Sequence, residues 1–461
     1  MALTDHITQS FISLLGADKV LTDPTDRLAY GYDNSREQAL PDLVVFPDHH
    51  DDVVMILQLC HEHKIPVTCR GRGTGTTGAT VPVCGGLVLS TERMTRILEM
   101  APGDRLIVVE PGITNQAVQQ AAGEHGFFWP PDPTSSAVCT VGGNLAYNSA
   151  GPRAVKYGTP RENVLGLRAV TGTGKEIRTG VRTTKGVVGY DLTRLLIGSE
   201  GTLAIITEAT LKLTPIAESK RTLKAIYADI PSATEAVSRI MAQPVVPCAL
   251  EFIDGHAIEM VREYSSADLP ENAGAMLMIE VDGPESAMPQ SVSAISEAAE
   301  TEGLLSLNTA KTDEEISALW ATRKALSPAL RNVAPKKINE DVVVPVSQIP
   351  ALIGGLDDLS KQHDITIVNF GHAGNGNIHV NLLIDPDNPE QLTRSESCLD
   401  DMFSLVISLG GTLSGEHGIG LVKRDFVARE IDATSLGLMR QIKAVFDPLN
   451  ILNPGKTIPS Q

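Results

Sequence analysis

The sequence predicts an α+β protein with two domains, the second built on an antiparallel sheet covered by helices. The chain has 461 residues, more than one hydrophobic core usually holds. Residues 43–213 carry short apolar runs joined by glycine turns, a pattern typical of strands. Beyond the polar, proline-containing segment 214–222, helical and strand-like periods alternate. We therefore predict one domain over residues 1–216 and another over 217–461.

The elements follow from periodicity and turn signals. Residues 51–64 and 113–126 have the apolar spacing of helices, and 167–178 resembles a hairpin closed by a glycine turn. In the second domain, 231–243 and 291–303 are predicted helices, whereas 275–283 and 364–370 are predicted strands. The last predicted helix lies in the tail, 435–456.

The amino-acid composition argues against several classes of partner and site. A formal net charge of −18 without a lysine–arginine cluster argues against a nucleic-acid or anionic-membrane partner. No apolar run approaches the length of a membrane span. Six cysteines without a C-x-x-C pair argue against iron–sulfur ligation and a disulfide framework. The sequence therefore predicts reduced thiols in a cytoplasmic protein, with peripheral attachment at the inner membrane face as an alternative.

A glycine-rich loop follows the apolar run IPVTCR. It contains Gly73-x-Gly75-x-x-Gly78, which alone would suggest a Rossmann dinucleotide site. That site needs a helix beginning at the loop, because the helix N-terminus holds the pyrophosphate. Pro82 and the pair at 85–86 fall where this helix should run, and a strand-like run follows. We therefore predict a strand–loop–strand whose backbone N–H groups form an anion nest, against the alternative of a mobile surface loop.

Two further segments support a cofactor site. Residues 130–158 form a long glycine-, serine- and asparagine-rich stretch, predicted as a functional loop, and 195–213 place a GSEG turn before a long strand. With the glycine loop, they resemble the FAD-binding (PCMH-type) domain of the vanillyl-alcohol oxidase/p-cresol methylhydroxylase flavoprotein superfamily. More narrowly, the chain from about residue 20 to Lys456 resembles the FAD-linked D-2-hydroxyacid dehydrogenases.

This resemblance implies an FAD site. The implied FAD contacts are Arg70, Gly71, Gly73, Thr74, Gly75, Thr76 and Gly78 in the first loop, Pro133, Thr134, Gly142, Gly143, Asn144, Ser149 and Gly151 in the second, and Glu200, Gly201, Ile206 and the C-terminal Asn453. Some relatives attach FAD covalently to a histidine of the first loop. Thr74 stands at that position, and no histidine occurs between residues 64 and 80, so we expect non-covalent FAD.

The segment FGHAGNGNIHVN (370–381) predicts a hairpin in which His372 ends one strand and His379 begins the next. Two histidines with a carboxylate such as Glu416 would form a catalytic metal site with an open position. The alternative is that both are ordinary hydrogen-bonded hairpin residues. The resemblance assigns His372, His379 and Glu416 as metal ligands and His417 as general base. Zn²⁺ is the expected ion, with Mn²⁺ or Fe²⁺ as alternatives.

The resemblance also implies substrate contacts. Arg323 matches the arginine of a W-x-x-R motif that binds the substrate carboxylate, and Asn381 matches a substrate-binding asparagine of the dicarboxylate-using members. Hydroxyglutarate enzymes carry a lysine near Lys336 and Lys337, but the register leaves this match open and surface solvation is expected for both. Their role is not assigned.

Together these features predict oxidation of a small D-2-hydroxy acid, D-lactate first, to the 2-oxo acid. His417 would take the hydroxyl proton, assisted by the metal, and flavin N5 the hydride. D-2-hydroxyglutarate dehydrogenase and the glycolate oxidase FAD subunit are alternatives within the family. A metal-dependent hydrolase and a non-catalytic FAD-binding subunit are alternatives from other classes. The expected partners are an electron-transfer flavoprotein, a quinone or an iron–sulfur subunit, with a homodimer as a further expectation.

Overall fold

The computed structural model describes residues 3–262 and 269–459, which form two compact units. The first unit comprises Met1–Ala150, Gly158–Ile216 and Glu416–Gln461, and the second comprises Gly151–Tyr157 and Ala217–Gly415. The units differ from the contiguous ranges 1–216 and 217–461 because 416–461 groups with the first unit. The cause is a pairing between residues distant in sequence: Val67 N donates to Ile451 O, and Asn453 N donates to Val67 O, each at 2.7 Å.

The strands are β1 (Val20–Leu21), β2 (Leu43–Val45), β3 (Val67–Arg70), β4 (Leu87–Ser90), β5 (Ile97–Ala101), β6 (Leu106–Val109), β7 (Phe127–Phe128), β8 (Val164–Thr171), β9 (Glu176–Gly180), β10 (Ala204–Lys212), β11 (Thr214–Pro215), β12 (Ser219–Tyr227), β13 (Ala249–Asp254), β14 (Ala275–Gly283), β15 (Leu304–Thr309), β16 (Lys336–Val343), β17 (Thr366–His372) and β18 (Asn377–Ile384). The α-helices are α1 (Asp5–Leu15), α2 (Pro24–Arg27), α3 (His50–His63), α4 (Asn115–Gly123), α5 (Val141–Tyr147), α6 (Ala154–Tyr157), α7 (Leu192–Leu196), α8 (Ile230–Ala242), α9 (Gly255–Val261), α10 (Met288–Ala299), α11 (Asp313–Val333), α12 (Ile349–His363), α13 (Pro389–Ser408), α14 (Val427–Glu430) and α15 (Ala433–Phe446).

The first unit contains two main sheets. One has the order β1-β2-β4-β3, with β4 parallel to both β2 and β3, and the other is the antiparallel sheet β5-β6-β10-β8-β9. Residues 71–86, between β3 and β4, contain no helix. The rejection of a Rossmann site is therefore confirmed.

The second unit is built on one antiparallel sheet with the order β15-β12-β14-β13-β17-β18-β16. Helix α11 packs on one face, where Leu326 and Leu330 share a core with Ile253 and Phe370. On the opposite face, the Tyr227 hydroxyl donates to Ala299 O of α10 at 2.8 Å. This confirms the predicted antiparallel sheet covered by helices.

Two predicted elements are corrected. The tail helix predicted over 435–456 ends at Phe446, the last residue of α15. The stretch 130–158 was predicted as a loop but contains the short helices α5 and α6. Helix α5 is stabilised at its N-terminus by the Thr140 hydroxyl, which accepts from Gly143 N at 3.2 Å, and ends at Asn148 in a left-handed conformation. Two adjacent glycines weaken helix propensity, so periodicity alone does not reveal this helix. Among the described residues, no helix combines the length and apolarity required to cross a membrane.

Candidate active site

A cavity in the first unit lies where the three predicted cofactor segments meet. It encloses about 590 Å³ that protein atoms do not fill, including open solvent at its mouth. Six predicted FAD contacts line it: Gly71, Gly142, Gly143, Glu200, Gly201 and Ile206. Its other walls include Ala79, Pro111 and Leu196. The size and the mixture of backbone and apolar surface fit part of a large, flat cofactor such as FAD.

The cavity wall at α5 requires glycine. A Cβ at position 142 would lie 2.7 Å from Pro111 Cβ and 3.0 Å from its carbonyl oxygen. Because a proline backbone yields little, any larger residue there would displace α5. Gly142 therefore lets this helix approach the chain at Pro111 closely.

Other predicted FAD contacts have different surroundings. The Arg70 guanidinium donates to the carbonyl oxygens of Tyr32 (2.6 Å) and Ala29 (3.2 Å), and Gly78 N donates to Asp33 Oδ2 at 3.0 Å. These groups therefore hold the glycine loop together. Among the residues described, Gly73, Thr74, Gly75, Thr76, Pro133, Thr134, Asn144, Ser149 and Asn453 do not line this cavity, and Gly151 belongs to the second unit.

Glu200 links the cavity to the segment that carries the predicted base. Its two carboxylate oxygens accept from Ile419 N (2.7 Å) and Gly420 N (2.8 Å), and its carbonyl accepts from Asn453 Nδ2 at 2.7 Å. Burial raises the pKa of this carboxyl. Asn453 therefore contacts the cavity wall at the Glu200 backbone, and its predicted contact with the cofactor stays a prediction.

The backbone of Glu416 and His417 is fixed in the same unit. Ser149 Oγ donates to Glu416 O at 3.0 Å, and Thr77 Oγ1 donates to His417 O at 3.4 Å. Leu421 N in turn donates to Thr77 O at 2.7 Å. Together with the Glu200 bonds, these contacts hold the predicted base on a loop attached to the cavity wall.

Sequence reasoning missed Tyr147, which also lines the cavity. Its ring packs against Gly75 and Gly418: a Cβ at either position would lie 2.5 Å from a ring carbon or the phenol oxygen of Tyr147. Burial, with the nearby Glu200 charge, raises the pKa of this phenol. The sequence signal was the single aromatic side chain in a run of small residues.

The predicted histidine hairpin is present in the second unit as β17 and β18. His372 pairs with Asn377 and His379 with Phe370, so the two histidines are diagonal rather than directly opposite. Their ring centroids are 5.2 Å apart and the rings are nearly perpendicular, at 84°. Both side chains are buried. Two imidazoles in this arrangement can direct nitrogen lone pairs to one point.

Glu251 on β13 organises this face, and no sequence motif pointed to it. Its Oε1 contacts His372 Nδ1 and its Oε2 accepts from Arg323 Nε, both at 2.6 Å. Burial acts to raise the pKa of Glu251, but the charges of His372 and Arg323 outweigh burial and hold the pKa below its usual value. A carboxylate on Nδ1 fixes the ring orientation of a histidine that binds metal through Nε2.

Arg323 lies on α11 with its guanidinium carbon 5.0 Å from the centre of the Phe370 ring. The Phe370 ring centroid is also 5.7 Å from that of His379. The Glu251 bond and the aromatic face therefore fix the position of the guanidinium, whose Nη edge suits two-point binding of a carboxylate. The structure thus brings Arg323 and both histidines to one face of the sheet.

Lys336 and Lys337, the two lysines without an assigned role, lie on different faces of the sheet. Lys337 lies on the same face as Asn381, and its Nζ donates to Ser327 Oγ at 2.5 Å, whereas Lys336 alternates to the other face. Both are only half-exposed, so the expectation of full solvation is not met.

The chain passes from one unit to the other beside the histidine hairpin. Gly415 N donates to Asp341 Oδ2 at 2.8 Å, and Asp341 is the strand partner of His379. The next residue along the chain is Glu416.

Comparisons with known proteins agree on a family. A model of the C-terminal domain of FAD-linked oxidases matches residues 216–457, and a model of an FAD-binding domain matches residues 41–180. The glycolate oxidase subunit GlcD of Bacillus subtilis is 39% identical over 98% of this chain and 97% of its own length. The D-lactate dehydrogenase of Archaeoglobus fulgidus is 36% identical over 94% and 96%. In fold, the chain is similar to p-cresol methylhydroxylase with substrate bound, with a TM-score of 0.79 and 20% identity over 98% of this chain and 96% of the other.

Proposed function

The chain belongs to the FAD-linked oxidases, and we propose that it oxidises a small D-2-hydroxy acid, D-lactate being the first to test, to the 2-oxo acid. The observation that supports this most directly is the attachment of the loop bearing Glu416 and His417 to the cavity wall through Glu200. Family membership also removes the support for a hydrolase. D-2-hydroxyglutarate and glycolate are the alternative substrates.

FAD would be held non-covalently by the residues that line the cavity, with the glycine loop and α5 as its walls. When bound, FAD supplies the acceptor for a hydride. The protein supplies the cavity, its orientation and the exclusion of water on the apolar side.

We infer that His372, His379 and Glu416 hold a divalent cation, for which Zn²⁺ is the first expectation. Each residue offers one nitrogen or carboxylate oxygen of the type that such ions bind. The Glu251 contact to His372 supports this proposal because metal-binding histidines are usually oriented in this way. The ion would lower the pKa of a substrate hydroxyl that binds to it.

The substrate would be oriented by three groups of the chain. Arg323 would bind the carboxylate, Asn381 would contact the remainder of the acid, and His417 would take the proton from the C2 hydroxyl. The C2 hydrogen then leaves with its electron pair, and the C–O single bond becomes a carbonyl. The proposed acceptor of the electrons would be an electron-transfer flavoprotein, a quinone or an iron–sulfur subunit.

Anaerobic reduction of the bound flavin tests this function. D-Lactate should bleach the flavin absorbance of the wild-type protein, and L-lactate should not. His417→Gln should retain FAD, yet the bleaching rate should fall by about 10²–10⁴-fold because the general base is lost. A His417→Gln protein that reduces its flavin at the wild-type rate would contradict the assignment of the base.

A further inference from the structure

Two asparagines face each other beside the histidine hairpin. Asn339 on β16 is the direct strand partner of Asn381 on β18, so both side chains lie on the face that also carries His379. Asn381 is fully buried. It is two residues from His379, or about 6.6 Å along the strand at 3.3 Å per residue.

The hydrogen bonds of Asn381 fix which end of its amide is available. Its Nδ2 donates to Val368 O at 3.2 Å and to His379 O at 3.1 Å. Because both partners are carbonyl oxygens, which only accept, the amide cannot be flipped without losing both bonds. Its Oδ1 is therefore an acceptor directed away from these carbonyls.

Both amide oxygens lack a donor within the described part of the chain. The Oδ1 atoms of Asn339 and Asn381 are buried and accept no hydrogen bond from any described residue. Buried acceptors of this kind are rare in folded proteins, and each calls for a ligand or a water molecule that donates to it. The Asn381 acceptor, whose orientation is fixed, and the Asn339 amide opposite it therefore form a small polar site that can take a hydrogen-bond donor.

We propose that Asn339 and Asn381 together bind a hydroxyl group on C3 of the substrate, so that the preferred class is D-2,3-dihydroxy acids, of which D-glycerate is the simplest. This inference rests on the proposed function. A methyl group, as in D-lactate, would leave both oxygens without a donor. A second carboxylate would bring like-charged or electron-rich oxygens against them.

The ammonium group of Lys337 does not reverse the preference for a C3 hydroxyl over a second carboxylate. Lys337 lies on the same face, two residues from Asn339, but its ammonium donates to both Ser327 Oγ (2.5 Å) and Ser327 O (3.3 Å) on α11. The Lys337 ammonium is therefore engaged by α11.

The test compares kcat/KM for D-glycerate and D-lactate, which differ by one hydroxyl group, using an artificial electron acceptor. We expect the wild-type holoenzyme to prefer D-glycerate by at least about tenfold, the scale of one net hydrogen bond. Asn339→Leu removes one acceptor with little change in volume. It should bring the ratio close to one, chiefly by lowering the value for D-glycerate.

Asn369→Leu is the matched control. Asn369 also has a buried Oδ1 without a described donor, but it pairs with Val380 and so lies on the opposite face of the same strands. This variant should keep the wild-type ratio. A change in the ratio equal to that of Asn339→Leu would overturn the proposal, because the effect would then be one of general packing.

The ratio of kcat/KM for D-glycerate to that for D-lactate in the wild-type protein tests the inference even if a variant fails to fold. A ratio at or below one, with D-lactate oxidised normally, would overturn the inference and leave the proposed function intact. If neither acid bleaches the flavin of the wild-type protein, the proposed function itself fails and the inference fails with it.

Discussion

At the scale of single residues, Glu251 has two roles in the candidate site. One carboxylate oxygen contacts His372 Nδ1 and the other accepts from Arg323 Nε. The same buried charge therefore orients a proposed metal ligand and the proposed carboxylate receptor. This connection is invisible in the sequence because residues 251, 323 and 372 are joined only by the pairing of β13 with β17 and the packing of α11.

Glu251→Gln should weaken both the binding of metal and the binding of the substrate carboxylate. An amide keeps the size of the side chain but removes the charge that stabilises His372 and Arg323, so metal affinity should fall by about 10–100-fold. KM for D-lactate should rise in parallel. Metal content after dialysis and steady-state kinetics measure the two effects.

Glu280→Gln is the control for this substitution. Glu280 is also buried, on β14 of the same sheet, but its Oε1 accepts from the Trp320 indole N–H and the Thr222 hydroxyl. This variant should retain wild-type metal content. Equal metal loss in both variants would show that Glu251 has no specific role.

At the scale of secondary-structure elements, several strands and helices were predictable and the cavity wall was not. Regular periods gave α3, α4, α8 and the hairpin β17–β18, because burial on one face imposes a period on the sequence. Helix α5 is held instead by one N-terminal hydroxyl and a close approach to Pro111. Such local contacts leave no periodic signal, which is why the segment was predicted as a loop.

Gly142→Ala should weaken the binding of FAD. The new methyl group would collide with Pro111 and displace α5, so FAD content should fall well below one per chain. Gly123→Ala is the control: at the end of α4, nothing lies within 4 Å of the added Cβ. It should keep full FAD content and stabilise the fold by about 0.5–1 kcal/mol. Flavin absorbance and thermal unfolding distinguish the two, and equal FAD loss in both would contradict this account of α5.

The hairpin β8–β9 leads to a prediction about the stability of the fold at acid pH. The Arg168 guanidinium hydrogen-bonds Glu176 and, with the nearby charge of His50, lowers the pKa of that carboxyl to about 2. A lowered folded-state pKa stabilises the fold above the unfolded value near 4.5, and this contribution is lost as the pH falls toward 2.

Glu176→Gln should therefore lower Tm at pH 7, by no more than about 2 °C because the pair is partly exposed. The difference from wild type should shrink as the pH falls below 4.5. Thermal unfolding from pH 7 to pH 3 measures it. A difference independent of pH would show that the carboxylate charge does not contribute.

At the scale of the whole molecule, the sequence revealed the family but not the discontinuity of the units. The proposed metal ligand Glu416 and the proposed base His417 belong to the unit with the cofactor cavity, whereas His372, His379 and Arg323 belong to the other. The peptide bond after Gly415 joins the two sets. Contiguous boundaries are the simplest expectation from a sequence, because a pairing such as that of Val67 with Leu452 joins residues distant along the chain and leaves no local signal.

The most direct test of the central claim is the rate of anaerobic flavin bleaching by D-lactate before and after removal of metal with a chelator. We predict that the chelated protein keeps its FAD but loses bleaching, and that added Zn²⁺ or Mn²⁺ restores it. A chelated, metal-free protein that bleaches at the original rate would contradict the account.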